Sequence, residues 1–338
     1  MVTMRDVARL AGVSLPVVSY VINDGPRPVS QDTRSRVLRV IEELGYRPNR
    51  LARGLARKGT LSIALIIPNI SDLFFAHLAR AVEEAAYASG FSLLLCNTGQ
   101  DHGREIAYFN LLAEKRIDGI LLITSGLDAG QLRNVCSEDL PLVVLDREIE
   151  NTFVDTVIFD NYAAGKQAAE HLIQHGYKSI ACLAGLKTLP GAVQRVEGYK
   201  EALKKAGIKL EHNLIRWCDY TFEGGLRAAS NLLKGKNRPQ AILACNDEMG
   251  TASIHAARQA GIDVPQQLAV AGIGDSLIGQ MVIPQLTTVN ASVDDMGRTG
   301  TEMLLERIGG TAPRAQRRMV LDTRLIIRSS CGCGRPAN

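Results

Sequence analysis

An all-α N-terminal module followed by an α/β body of two doubly wound parallel-sheet subdomains is the architecture this sequence predicts. Three observations point to it. Residues 1–59 hold eleven Lys/Arg against five Asp/Glu, whereas the rest of the chain holds 28 against 30, so all the excess positive charge lies at one end. Apolar residues in that basic stretch recur at helical spacing. Beyond Leu61, short β-branched runs alternate with amphipathic stretches. A basic module on a near-neutral body is the electrostatic footprint of phosphate-backbone binding, and its apolar periodicity argues against a solvated tail.

Thr3-Met4-Arg5-Asp6 reads as a capping box, with the Thr3 hydroxyl accepting from the backbone near Asp6 and the Asp6 carboxylate at the positive helix end. Met4, Val7, Ala8 and Ala11 continue a short helix to Gly12. Gly12-Val13-Ser14 then makes a tight turn, and Ser14 caps a second helix from Leu15 to about Ile22. Pro16 falls in its first turn, where a missing N–H costs nothing. A third helix runs from Ser30 to Leu44, with Val37, Val40, Ile41 and Leu44 inward and Arg34, Arg36 and Arg39 outward. Two short helices joined by a glycine turn and backed by a third form a helix-turn-helix, whose second helix enters the major groove.

Residues 48–59 join this module (1–47) to the body. They include helix formers, but the stretch is too short to be stable alone and Gly54 weakens it further. In the body, strands are expected at 63–67, 92–96, 119–123, 142–145, 156–159, 180–183, 241–244 and 268–273, with amphipathic helices between most of them. That is too many strands for one compact sheet of this length, so two similar halves are expected. Ligands in such folds bind outside the carboxyl ends of strands, which places a site in the cleft between the halves.

The run Thr3 to Ser14, then Val18-Ser19-Tyr20-Val21-Ile22-Asn23, then Leu44-Gly45-Tyr46-Arg47-Pro48-Asn49 resembles the DNA-binding signature of the lactose-repressor (LacI/GalR) family, and the resemblance continues to about residue 330. It implies a periplasmic-binding-protein-like body over 60–330. The N-subdomain would comprise about 60–161 and 291–321, the C-subdomain about 162–290 and 322–330, with a flexible tail at 331–338. It also implies a cytoplasmic homodimer acting as a repressor on a pseudo-palindromic operator in double-stranded DNA. Leu15, Pro16 and Tyr20 would be the base-reading positions. Leu15 and Pro16 carry no side-chain donor or acceptor, so they can read only shape and thymine methyls. Thr3, Ser14, Val17, Ser19, Asn23, Arg34 and Tyr46 complete the expected DNA face of the module. In the hinge, Asn49, Arg50 and Arg53 would meet the duplex and Leu55 would wedge into a central minor-groove step; a flexible basic linker is the plainer alternative.

For the cleft, the resemblance implies a small-molecule effector, a sugar, sugar phosphate or sugar acid, with a purine co-repressor as the alternative. Phe74 and Phe75 offer planar faces, though paired aromatics also serve as core. Arg195 matches the family arginine that binds effector hydroxyls or carboxylates, and a surface pair with Glu197 is the alternative. Asn246 and Asp247 match the family Asn-Asp, and Asp160 and Tyr220 match positions that often line the pocket. Where the family has two acids after a Gly-aromatic pair, this chain reads Gly272-Ile273-Gly274-Asp275, leaving Asp275 to do the work.

An enzyme on the same fold is the rival reading. The sequence holds no Gly-x-x-x-x-Gly-Lys-Ser/Thr loop and no Gly-x-Ser-x-Gly elbow, and Gly272–Gly279 has the wrong spacing for a dinucleotide fingerprint. No cofactor and no catalytic residue is expected. His171 and His175 have metal-ligand spacing, but the sequence suggests no third ligand, so no metal is expected. Cys331-Gly332-Cys333 reads as incidental to the tail, and the other cysteines as buried thiols in a reducing compartment. No apolar run is long enough for a bilayer and no signal-peptide block opens the chain, so no membrane partner is expected. No heptad segment follows Arg328, which favours a dimer over a coiled-coil tetramer.

Overall fold

A computed structural model describes residues 2–23, 27–46, 59–136, 140–235 and 237–333. The expectations for Asn49, Arg50, Arg53 and Leu55, and for the Asn23 side chain, lie outside the described residues. The chain forms two compact units that divide between Thr60 and Leu61.

In the first unit, α1 (Met4–Ala11) opens on a complete capping box: Thr3 Oγ1 accepts from the Asp6 amide while Asp6 Oδ2 accepts from the Thr3 amide at 2.9 Å. It closes at Gly12, whose φ of +63° is the left-handed cap that glycine adopts without strain. α2 (Leu15–Asn23) and α3 (Gln31–Glu43) follow. Val7, Ala8, Ala11, Val18, Val21, Val37, Val40 and Tyr46 form their common core.

The second unit contains two six-stranded sheets. The first is ordered β11-β5-β4-β3-β1-β2 and the second β12-β10-β9-β8-β6-β7. The strands of the first lobe are β1 (Ser62–Ile67), β2 (Ser92–Asn97), β3 (Gly119–Leu122), β4 (Leu142–Leu145), β5 (Asp155–Phe159) and β11 (Arg318–Leu321). Those of the second lobe are β6 (Ile180–Ala184), β7 (Ile215–Trp217), β8 (Ala241–Ala244), β9 (Ala269–Gly274), β10 (Thr287–Asn290) and β12 (Arg324–Ile326). Only β12 pairs antiparallel among the described strands. Strands β3, β4, β5, β6 and β8 are buried at every position, which is why all but β5, which opens on Asp155 and Thr156, read as unbroken apolar runs. The chain passes between sheets three times, after Phe159, after Asn290 and after Leu321.

These crossings require that late segments be fastened back to early ones. In the first lobe Asp155, with no exposed side-chain surface, accepts from Arg307 and from Arg317 at 2.7 Å each, which locks the helix Val293–Ile308 and the entry to β11 onto β5. In the second lobe Ser330 donates to the Val270 carbonyl at 2.7 Å and accepts from the Thr287 amide at 2.8 Å. Cys331 behind it is wholly buried. Residues 331–333, expected in a flexible tail, are therefore packed into the second lobe: once Ser330 satisfies two buried strands, the next residues have nowhere to go but inward.

Candidate functional site

The second helix of the first unit turns Val18 and Val21 into the core and leaves Ser14, Leu15 and Pro16 on the surface, with Leu15 42% exposed. Leu15 is thus left out of the three-helix core. Val17, Ser19 and Tyr20 are half-buried beside it, and Thr3 and Arg34 are exposed. Tyr46 differs. Its ring is 8% exposed and belongs to the three-helix core, so it shapes the module from within.

In the body, several candidate side chains lie just after strand ends. Asp146 after β4, Tyr220 after β7 and Asp275 after β9 all have φ near +60°, a conformation that non-glycine residues adopt at a cost. Arg195 lies on the helix Pro190–Lys205 and is half-buried. Its Nε donates to Asn161 Oδ1 at 2.7 Å and Nη1 donates to the Cys245 carbonyl. The guanidinium carbon stands 5.0 Å from the Phe159 ring centre and 5.8 Å from that of Tyr220. Glu197, the alternative partner weighed from sequence, pairs instead with Lys200 at 2.8 Å. Among the described residues no carboxylate forms an ion pair with Arg195. Its remaining N–H groups form the planar fork that suits hydroxyls, carboxylates and phosphates.

Tyr220 is held from both sides. Its carbonyl accepts from Asn246 Nδ2 at 2.7 Å, and its ring packs on Gly185, where an added Cβ would come within 2.0 Å of it. Burial pushes its phenol well above the ordinary range, so it stays a neutral donor. Asn246 spends its other side-chain atom on the helix that follows, accepting from the Met249 amide at 2.9 Å. It positions Tyr220 and caps a helix at once.

On the first lobe, Phe74 is half-buried and Phe75 is 6% exposed, with the rings edge to face at 5.3 Å. Phe75 is therefore core and Phe74 the accessible face. Sequence reasoning missed their neighbours. Arg147 stands 5.8 Å from the Phe75 ring centre and donates to the Thr124 carbonyl at 2.8 Å. Asp146 and Asp72 are both raised, chiefly by burial, with Arg147 drawing each back down. The charge of Arg195, on the other lobe, also lowers Asp146 slightly. An acid directly after an all-apolar strand, as Asp146 follows Leu145, was the signal available in the sequence.

Two expected residues have carboxylates engaged within the second lobe. Asp247 is 3% exposed; one oxygen accepts from Thr288 Oγ1 at 2.6 Å and the other from the Ser276 amide at 2.6 Å and hydroxyl at 3.0 Å. Asp275 accepts from Asn290 Nδ2 at 2.8 Å and from Arg328. Both are braces within the second lobe. Their arrangement explains Gly274, where the family has an acid: its φ is +143° and an added Cβ would lie 3.3 Å from Asp247 Oδ2, so a second carboxylate would crowd a buried one. Asp160 is exposed and caps the helix Asn161–Gln174, accepting from the Ala163 amide at 2.8 Å.

A helix-turn-helix unit together with a two-lobed body, whose polar and aromatic groups converge at strand ends, defines a ligand-responsive DNA-binding regulator. The family model for the DNA-binding part, "Bacterial regulatory proteins, lacI family", matches residues 3–49. That for "Periplasmic binding proteins and sugar binding domain of LacI family" matches residues 60–329. The chain belongs to the LacI family of transcriptional regulators. Among its relatives, the HTH-type transcriptional regulator DegA of Bacillus subtilis (strain 168) is 36% identical over 336 residues, 97% of either chain. Among solved structures, the lac repressor dimer bound to operator and the anti-inducer ONPF is 27% identical with a TM-score of 0.87, covering 98% of this chain and 99% of that one. The regulator CelR in complex with cellobiose is 34% identical with a TM-score of 0.72, covering 98% and 100%.

Proposed function

We propose that this regulator acts as a homodimeric, cytoplasmic repressor whose operator affinity is set by a sugar or sugar derivative in the cleft between its lobes. The observation that carries the ligand class is Arg195: a guanidinium fork held by Asn161 and the Cys245 carbonyl, close to two aromatic rings and without a carboxylate partner. Hydroxyl-rich ligands need directional donors beside apolar planes on which their C–H faces rest. Arg195 and Tyr220 supply the donors, and Phe74 and Tyr220 the planes. Asn246 and Asp160 belong to the rim, and Asp247 and Asp275 stiffen the wall behind it. The cellobiose complex of CelR and the ONPF complex of the lac repressor fit a cleft of this kind.

Dimerisation is supported by an apolar patch on the second lobe, where Leu277, Met281 and Ile283 are 63%, 73% and 87% exposed. Side chains this size are rarely left together in water without a partner. The helix Leu277–Met281 sets the first two on one turn-spaced face. On DNA, Leu15, Pro16 and Tyr20 read the major groove, with Thr3, Ser14, Val17, Ser19, Asn23 and Arg34 around them, and the segment from Asn49 through Leu55 enters the minor groove. No helix among the described residues is long and apolar enough to cross a membrane. With DegA, catabolite control protein A and PurR among its relatives, and no catalytic motif in the sequence, the body reads as a receptor rather than an enzyme.

A thermal-shift panel of sugars, sugar phosphates, sugar acids and purines, followed by electrophoretic shift on upstream DNA, tests this. The expected result is a hit among the sugar classes that changes DNA affinity and that Arg195→Ala abolishes. A purine hit, or turnover of any hit, would replace the proposal.

A further inference from the structure

A second cluster of chemistry-bearing side chains lies in the second lobe, apart from Arg195. His171 sits in the last turn of the helix Asn161–Gln174 and His175 caps its end. The chain returns after β12 to bring Cys331 and Cys333 against them. The ligand atoms of all four lie within 4.8 Å of one another. Cys333 Sγ stands 3.6 Å from His171 Nε2 and 3.0 Å from His175 Nε2, and 3.3 Å from Cys331 Sγ. The two imidazoles meet edge to face at 4.8 Å between ring centres.

These separations resemble the edges of one coordination tetrahedron. With metal–sulfur and metal–nitrogen bonds of about 2.3 and 2.05 Å, a tetrahedral zinc site has S···S, S···N and N···N edges of roughly 3.8, 3.6 and 3.3 Å. Sulfur atoms 3.3 Å apart are thiols in contact, since a disulfide would bring them to about 2.05 Å. Ligands spaced four apart on a helix and two apart in a strap are the usual means of presenting paired donors on one side.

We propose that His171, His175, Cys331 and Cys333 form a structural zinc site that pins the C-terminal segment to the end of the helix Asn161–Gln174. Binding a zinc ion releases the two thiol protons to solvent, and two thiolates with two neutral imidazoles give a site of zero net charge. Four protein ligands complete a tetrahedron and leave no position for substrate, so the role is to hold the fold rather than to catalyse. Exposed His175 and half-buried Cys333 give the ion a way in from solvent. The helix concerned begins at Asn161, the partner of Arg195, so the site anchors the far end of the element that supports the cleft.

The test uses the full-length chain, reduced with a phosphine, stripped by a chelator and titrated with cobalt(II). The expected result is one equivalent bound, with the intense visible bands of tetrahedral cobalt and a thiolate charge-transfer band, both removed by one equivalent of zinc. Zinc should also raise the Tm of the stripped protein. His175→Ala, at an exposed position where folding is safe, and Cys333→Ser should each weaken cobalt binding at least about 100-fold, beyond the range typical of outer-sphere changes. Absence of a tetrahedral spectrum under reducing conditions, or equal binding by His175→Ala and the parent, would overturn the site. So would a thiol count two short in the denatured protein before the phosphine is added, restored to seven afterwards, which would make the pair a disulfide.

Discussion

Tyr220 occupies the space that a side chain on residue 185 would need: a β-carbon built on Gly185 falls 2.0 Å from two ring carbons of the tyrosine. The glycine is therefore what lets Tyr220 lie near Arg195. Gly185→Ala should displace the ring, because backbone on the one side and the Asn246 bond on the other leave little room to yield. Overpacking of this kind costs roughly 1–3 kcal/mol of stability. The larger expected effect is on the effector, whose affinity should fall tenfold or more on the order expected for losing an aromatic contact and a hydroxyl donor. Calorimetry on the ligand found by screening checks it, with operator affinity in the absence of ligand unchanged. An alanine variant that binds effector normally would show that Tyr220 is no part of the site.

Arg195→Lys keeps the charge and loses the fork. A lysine ammonium cannot donate to Asn161 and to the Cys245 carbonyl while still presenting a planar pair to a ligand. Effector affinity should drop by about 10–100-fold, the loss expected for one or two hydrogen bonds to a charged donor. Glu197→Ala serves as the control. Glu197 is bound to Lys200 rather than to Arg195, so its removal should change nothing. Titration calorimetry of the two variants decides the matter; equal losses would mean the fork is not what holds the ligand.

The architecture was legible because its central strands are buried on both faces and so read as apolar runs; β3, β4 and β6 needed no context. Strand β10 was invisible for the opposite reason. Thr287 and Thr288 are completely buried, yet they look like a loop until their hydroxyls are seen bonded to the Arg328 amide and to Asp247. The capping box at Thr3 and the helix end at Gly12 were readable, being local. Arg195 was singled out by its motif, whereas Asn161, Asp146 and Arg147 were not, since their contacts are with residues distant in the chain. Asp247 shows the reverse limit: a residue type suited to hydroxyls was consumed by Thr288 and Ser276. The Cys331–His171 meeting joins residues 160 positions apart, and spacing rules see only one side of it.

Burial, with the like charges of Asp72 on the first lobe and Glu223 on the second, raises the Glu248 carboxyl to about 7. A carboxyl raised in the folded state contributes stability that is complete below its unfolded value of 4.5 and lost as pH climbs through about 7. Glu248→Gln should therefore gain on the parent as pH rises from 5 to 8. The effect is moderated because the group is half-buried and solvent screens it. Urea midpoints of both proteins at the two pH values measure it, and parallel behaviour would remove the cross-cleft repulsion from the account. The same charge should oppose lobe closure, so a ligand that closes the cleft should bind Glu248→Gln more tightly than the parent at pH 8 and with little difference at pH 5.

Asp155 carries the opposite sign. Burial works to raise its carboxyl, but hydrogen bonds from Arg307 and Arg317 outweigh that and hold it below the usual carboxylate range. Its stabilisation is therefore present above the unfolded value near 3.8 and disappears as pH falls through the lower folded value. Asp155→Asn preserves shape and removes charge, which leaves two arginines, about three-quarters buried, facing a neutral amide. Breaking a buried pair on one side costs roughly 3–5 kcal/mol, and the partial exposure of the arginines places this case at the lower end. Because Arg307 and Arg317 fasten the helix Val293–Ile308 and β11 to β5, the loss should appear as earlier unfolding of the first lobe, with the second lobe untouched. Hydrogen exchange resolved by segment tests this directly. Increased exchange confined to the first lobe is expected at pH 7, and the gap between variant and parent should close under acid. Uniform loosening of both lobes would show instead that the body unfolds as one cooperative unit and that the clamp serves the whole of it.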